Sequence, residues 1–589
     1  MDSIVAAQER ALDPQNLMRR IQPMAAPLPL PEEQPGLLGG PQDADTFGWD
    51  TVFAVSFVEA NTAIRTAHSS PKTLEFSKQD GDQHYQLEGQ FDHWQLNVGG
   101  DGKNIRFNVP LTTLSVTMGG QTKTYDHVRA SVVFTMGFVK NEAPQKLTLS
   151  SALADGQGDW LDLKVDASQP ASVTQLYFDG SVKPGDIEQM IIRGLLEQWF
   201  LEPGCLTQFD HVFGSINLNA RAAKADFQWL MPTAVNYAVV DRGSLDRSVL
   251  AITCMTENRT PPDSGHQVSP FAIPEAHSSG FLISQERFLT KLLMPGIGEF
   301  FSGPVKKLKG KVWPQDYFAI DPKEGCITNL TGVYIDKMQV GESEKDVYRA
   351  EIGAGNFNLS LRSASLQTEI IDLHHEYNHF ITWLNVYHTI RSNSTVMLDG
   401  DTFSLAEGNG THHVVVTKDK TSEWIEIGLL TASLVAIGIS AAAKGWVSAS
   451  TKIASKTATT ASVTTEVVAT AAPTAAQSSS FFATGANAIL SAAKTGILNG
   501  GEFLTAWKVV SRAALIGSMA GAGWAVMRII DVLADIDAQE NALPSFNAFA
   551  ATVMAPVQWP SQGSGYQVDF AELNGVFQVA GHFVEEAEQ

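Results

Sequence analysis

The chain has 589 residues, 44% hydrophobic and 18% charged, which is too long for one core and apolar enough to fold, so two or three domains are expected. A formal net charge of −22, from 41 basic against 63 acidic residues, argues against a nucleic-acid partner, because phosphates demand a basic face. Three widely spaced cysteines, Cys205, Cys254 and Cys326, fit neither a disulfide framework nor a zinc-finger spacing.

The N-terminus, MDSIVAAQERALDPQNLMRR, has no basic start followed by a long apolar run, so no Sec signal peptide is expected. A cytoplasmic protein has this form, and so does one released by lysis or exported by a non-Sec route. Residues 1–22 can form a short amphipathic helix through Ile4, Val5, Ala11, Leu17 and Met18. Met24–Pro41 is rich in Pro and Gly and reads as a linker or arm.

Thr46–Ala67 reads TFGWDTVFAVSFVEANTAIRTA. Thr46 and Asp50 are candidate helix caps. Trp49, Val52, Phe53, Val55, Phe57, Val58, Ala60, Ala63 and Ile64 point in nearly every direction around a helix. A helix apolar all round must be covered on all sides. Glu59 and Arg65 interrupt the run, which is too short to span a bilayer. The expectation is therefore a buried helix sheathed by curved sheet. If an oily seam runs beside it, Trp49, Phe53, Phe57 and Ile64 would line a lipid or hydrophobic groove.

Next comes an alternating, β-patterned block. Tyr85–Phe91, Trp94–Val98, Ile105–Val109, Leu114–Met118, Arg129–Val139, Lys146–Ser151 and Trp160–Val165 suggest an antiparallel meander, with a one-residue slip near Phe91 and a turn at Gly99–Gly102. Gly185–Leu201 reads as a helix with Ile187, Met190, Ile191, Leu195 and Trp199 on one face. Strands are expected at Asp210–Asn219, Asp226–Pro232 and Leu250–Met255. Ser284 caps a helix that stops at Pro295. Between Val312 and Val416 the pattern is again β.

At Trp424 the character changes. Ile427–Ala443 holds 17 uncharged residues and Ala513–Met527 holds 15. Both are short for a ~20-residue span, so a buried helical hairpin is expected over 424–535. The alternative is a hairpin that enters a bilayer through Ile427, Leu430, Leu434, Leu515 and Trp524. Tyr566–Val584 returns to alternation and should close a sheet opened much earlier.

His375-Glu376-Tyr377-Asn378-His379 matches H-E-x-x-H, whose two imidazoles and glutamate serve zinc hydrolysis from a helix. Here residues 371–383 alternate with period two. On a strand, His375 and His379 lie ~13 Å apart, too far for one metal. His375, Glu376 and His379 are thus set aside as metal ligands. No phosphate loop or dinucleotide fingerprint is present, and neither catalytic residues nor a cofactor are expected.

Several segments carry a resemblance. Gly48–Ala54 (GWDTVFA), Gly89–Pro110 (GQFDHWQLNVGGDGKNIRFNVP), Phe281–Ser284 with Phe288, Leu289 and Met294–Pro295, and Leu573–Gly575 with Gly581 resemble the clostridial forty-seven-kilodalton proteins encoded beside OrfX-type botulinum neurotoxin clusters. The resemblance implies a place in the TULIP superfamily of tubular lipid-binding proteins. It implies an α+β fold, with long helices wrapped by curved antiparallel sheets and, here, a C-terminal apolar helical block. It also implies a non-enzymatic accessory of a toxin system that binds lipid, another hydrophobic ligand or a membrane surface, with proteins of the same cluster as partners. The expected division is 1–45 arm, 46–310 helix-wrapped β region, 311–423 second β region, 424–545 apolar helices, and 546–589 closing strands.

Overall fold

A computed structural model describes residues 43–141, 159–202, 204–219, 225–303, 317–321, 324–340, 347–363, 365–379, 382–399, 402–418, 465–471, 527–529, 556–560 and 565–584. In chain order these begin with strand β1 (Thr51–Ser56) and helix α1 (Phe57–Ala67), then β2 (Thr73–Asp80), β3 (Gln83–Phe91), β4 (Gln95–Asp101), β5 (Asn104–Met118) and β6 (Gln121–Lys140). Next are β7 (Asp159–Val165), β8 (Ser172–Phe178), helix α2 (Asp186–Leu201), β9 (Gly214–Leu218), β10 (Pro232–Val240), β11 (Val249–Thr256) and β12 (Ser279–Ile283). The second half holds β13 (Phe318–Asp321), β14 (Cys326–Asn329), β15 (Val333–Val340), β16 (Val347–Ile352), β17 (Phe357–Arg362), β18 (Ser365–His379), β19 (Thr382–Asp399) and β20 (Thr402–Lys418). Last come β21 (Thr465–Ala471), β22 (Met527–Ile529), β23 (Val557–Gln558), β24 (Gly565–Leu573) and β25 (Phe577–Val584).

These strands form three antiparallel sheets. The first has the order β10-β11-β1-β12-β25-β24. The C-terminal strand β25 pairs with β12, setting Phe281 opposite Val579. In the second sheet the long strands β5 and β6 each change partners along their length. β5 pairs with β3 over one half and β4 over the other, and β6 pairs with β8 and then β7. The third sheet is built on the β18–β19–β20 ribbon.

The sheathed-helix expectation does not hold. Thr51–Ser56 is a central strand, with all six residues buried, and the helix begins only at Phe57. A strand covered on both faces has no polar side, so it reads as an unbroken apolar run, the same signature as a helix buried all round. Neither Thr46 nor Asp50 caps α1. Ser56 does, its Oγ accepting from the Glu59 N–H at 3.2 Å, which satisfies one otherwise orphaned donor of the first turn. The described helices are short, and α2, at 16 residues, is surrounded by no wrapping sheet of its own. The α+β, TULIP-like architecture is therefore replaced by a predominantly antiparallel β fold. Ile427–Ala443 and most of Ala513–Met527 lie outside the described residues. Within 424–545 the described pieces, β21 and β22, are strands that extend the third sheet.

Two cores result. Phe53 and Val55 face the larger one, with Phe57 and Ile64 of α1, the inner faces of all three sheets, and Ile192, Leu195, Trp199 and Phe200 of α2. Trp49, Val52 and Ala54 face the smaller one, under the 257–278 connection, with Val268, Ala272 and Leu282. Asn61 ties α1 to β4, donating to the Leu96 carbonyl at 3.1 Å and accepting from the Leu96 N–H at 2.7 Å. The helix expected to stop at Pro295 continues instead. Gln285–Arg287 passes through a π-turn, Phe288–Leu293, into Met294–Phe300. The widened turn carries the backbone past the proline, which has no N–H to give.

Candidate functional site

Three of the resembling segments, distant in sequence, meet at one place. Gly48–Asp50, Ser284 and Gly575 line a cleft of about 410 Å³, with Asp43, Asp45, Arg259, Gln285, Glu286 and Val576 among its other walls. Its floor is Asp50, 1% exposed. One carboxylate oxygen accepts from the Thr256 N–H at 2.8 Å and from the Thr256 hydroxyl at 2.9 Å. The other pairs with Arg259 at 2.5 Å, and Arg287 stands 3.8 Å away. Arg259 also holds Glu286 at 2.7 Å. Behind this, Arg287 and Lys291 both grip Glu257, at 2.8 and 2.7 Å. Burial works against the Glu257 carboxylate, yet the bond from Lys291 and the charge of Arg287 hold its pKa below the usual range.

Every carboxylate on the cleft wall is therefore engaged by the protein itself. Asp45 accepts from the Phe47 N–H at 2.7 Å, and Asp43 takes the hydroxyl hydrogen bond of Ser363. Gly575 sits at φ +70°, and a Cβ there would lie 2.8 Å from the Ala44 carbonyl. The cleft is a clamp that fastens the start of β1 to β11, to the 285–300 helical run and to the β24–β25 turn.

The expected groove residues do not form one groove. Phe53, Phe57 and Ile64 are fully buried in the larger core, while Trp49 lies in the smaller core on the opposite face of the first sheet. Of the four, Trp49 borders the cleft described above, whose walls are largely charged side chains. The membrane-contact candidates Ile427, Leu430, Leu434, Leu515 and Trp524 lie outside the described residues. No helix among the described residues is long and apolar enough to cross a membrane.

The exposed apolar surface lies elsewhere. α2 buries Ile192, Leu195, Leu196, Trp199 and Phe200, and Trp199 packs edge-on to Trp94 with centroids 6.5 Å apart. That rotation turns Ile187 and Met190, expected on the core face, out to solvent. They are 76% and 49% exposed, and Val182 nearby is 48% exposed. Beside them runs a groove of about 580 Å³, with Met118, Gln121, Lys123, Asp186, Ile187, Glu188 and Ile191 among its walls. Lys123 and Glu188 pair at 3.0 Å on its rim. Sequence reasoning missed this face, although its signal was present. α2 has more apolar residues than one stripe can hold.

His375 and His379 both lie on β18, as the period-two pattern indicates, and so do not share the helical face that zinc hydrolysis uses. Among the described residues no group of three metal-ligating side chains comes together. His375 meets instead His388 of β19, with Nε2 of His388 3.2 Å from Nδ1 of His375. Burial and the neighbouring His374 lower the His375 pKa to about 4.

Comparison with known proteins agrees on one family. The OrfX-like family, described as protein OrfX2/OrfX3/P47, matches residues 46–484. A protein OrfX3 of Paraclostridium bifermentans is 29% identical over 357 residues, covering 56% of this chain and 70% of that protein. A protein OrfX3 of Clostridium botulinum (strain Kyoto / Type A2) is 29% identical over 282 residues, covering 44% of this chain and 55% of its own length. Among solved structures, P47 from Clostridium botulinum A2 aligns over 92% of this chain and 98% of its own, at 13% identity and a TM-score of 0.49.

Proposed function

Since this chain belongs to the OrfX-like family, we propose that it is a non-enzymatic accessory protein of a bacterial toxin system, acting by binding a lipid surface through α2. The family places it among clostridial toxin-cluster proteins. The observation that carries the lipid reading is the outward apolar face of α2, where Ile187 and Met190 stand clear of the core, Ile187 at the edge of a groove shared with Met118 and Ile191. Isolated exposed apolar residues are ordinary, but a pair one turn apart on a helix next to a groove marks an interaction surface.

Charge selects the occupant. The whole chain carries −22, which disfavours strongly anionic membranes. Around α2 the charges nearly balance, with Lys123, Lys183 and Arg193 against Asp186, Glu188, Glu197 and Glu202. A zwitterionic surface, or the acyl chain of a neutral lipid, suits that balance.

Flotation with phosphatidylcholine vesicles tests the proposal. Burying the exposed parts of Ile187 and Met190 is worth about 3 kcal/mol together, so Ile187→Asp/Met190→Asp should weaken binding about 100-fold. Equal flotation of wild type and variant, or none by wild type, refutes it. Wild-type binding to a purified toxin-cluster protein, lost in the same variant while neither floats with vesicles, would reassign the face to a protein partner.

A further inference from the structure

Ile187 and Met190 stand at the N-terminal end of α2, but the apolar face they begin runs the whole length of the helix. At about 100° per residue, Ile187, Met190, Gly194 and Leu201 fall within about 60° of one another. They lie opposite Ile192, Leu195, Leu196, Trp199 and Phe200, which the core holds. Leu201 is 57% exposed. It keeps the helical phase, since the Glu202 N–H still bonds to the Gln198 carbonyl at 3.0 Å. Gly194 leaves a gap in the middle of the stripe, where a Cβ would meet no atom within 4 Å. From Ile187 to Leu201 the stripe is about 21 Å long.

Polar groups border this stripe without interrupting it. Arg193 and Glu197 pair at 3.6 Å, and Glu197 also accepts from the Val173 N–H at 3.1 Å. Near the N-terminal end Lys123 and Glu188 pair at 3.0 Å. These flanking charges are matched in pairs, with no row of basic side chains of the kind that seeks anionic lipid. A border of matched charges fits neutral headgroups.

The helix can meet such a surface in one way only without a penalty. An end-on approach sends Asp186 and Glu188 of the first turn into the hydrocarbon with Ile187, and carboxylates are costly there. It also leaves Leu201 about 21 Å out in water. Lying flat, α2 brings Ile187, Met190 and Leu201 to one depth and leaves both carboxylates outside the contact line.

We propose that α2 lies flat on the bilayer, its axis in the plane of the membrane, with Leu201 as a third anchor and Gly194 as an unfilled position between the anchors. This rests on the lipid reading and extends it to the C-terminal half of the helix, where nothing in that reading requires a contact.

Flotation of the full chain against a range of phosphatidylcholine vesicle concentrations tests it. Gly194→Leu fills the gap where no neighbour resists a side chain and removes a glycine from a helix interior, so the fold is kept. Its binding should tighten about 10-fold, the worth of one more buried aliphatic side chain. Leu201→Gln, neutral and a good helix former, should weaken binding about 10-fold. Leu330→Gln, at a similarly exposed leucine between β14 and β15, should float as wild type does. If Gly194→Leu and Leu201→Gln both float as wild type does while Ile187→Asp/Met190→Asp does not, the contact stops at the first turns. The flat orientation is then overturned and the lipid reading stands. An equal loss in Leu330→Gln also overturns it, and absence of wild-type flotation overturns both. Should Leu201→Gln fail to fold, the gain in Gly194→Leu decides alone.

Discussion

Replacing Asp50 by alanine removes the anchor of the polar clamp. Three buried groups then lose a partner. The Thr256 N–H loses its acceptor at 2.8 Å, the Thr256 hydroxyl loses one at 2.9 Å, and Arg287, 4% exposed, loses the carboxylate 3.8 Å away. A buried amide left unpaired costs about 1–3 kcal/mol, and breaking a buried ion pair from one side costs about 3–5 kcal/mol. Two facts place this case at the low end. Arg287 keeps Glu257 at 2.8 Å, and Arg259, 33% exposed, can turn to water. The expected cost is therefore about 3 kcal/mol. Urea unfolding followed by tryptophan fluorescence measures it as a lowered midpoint at constant m-value. Asp50→Ala/Arg287→Met should cost less than the sum of its single variants by more than about 1 kcal/mol, because the double change leaves no guanidinium behind. A single-variant cost below about 1 kcal/mol, or simple additivity, would refute the clamp.

Three further perturbations probe other parts of the fold. Ser56→Ala removes the α1 cap and should cost about 1 kcal/mol in the same unfolding assay. Gly575→Ala adds a Cβ at φ +70°, 2.8 Å from the Ala44 carbonyl. Left-handed backbone alone costs about 1–2 kcal/mol, so a melting temperature lower by a few degrees is expected. His211 is 2% exposed, hydrogen-bonded to Ser69 at 2.8 Å, with its pKa lowered by burial to about 4. Its depressed pKa means the unfolded chain takes up the proton first, so the stability it provides is complete above pH 6.5. That stability drains away as pH falls towards 4, by up to about 3 kcal/mol. In His211→Phe the fall in stability between pH 7 and pH 4.5 should be shallower by most of that amount.

The antiparallel β character was legible in the chain because alternation records which side chains are covered. β5, β6, β18 and β19 all overlap segments that alternate, though β6 begins eight residues before the expected Arg129–Val139. The strand setting of His375 and His379 followed from the same pattern. Ser284 at the head of its helix was equally plain, since capping is a local matter of one side-chain oxygen and one backbone N–H. The nature of Thr51–Ser56 was not legible. An apolar run reports that it is covered on all sides, and says nothing of whether two flanking strands or a sleeve does the covering. Its neighbours β11 and β12 lie about 200 residues further along the chain.

What the sequence determined by itself was therefore local: the strand periodicity, the caps, the surplus of apolar residues on α2 and the likeness to one family. The tertiary structure alone decided which faces meet. Packing of Trp199 and Phe200 into the core set the rotation of α2 and so brought Ile187 and Met190 to the surface. The β18–β19 register, and not spacing along the chain, set His375 beside His388. Both outcomes depend on contacts between distant segments, whose energies are shared among many residues and leave no periodic mark in either segment alone.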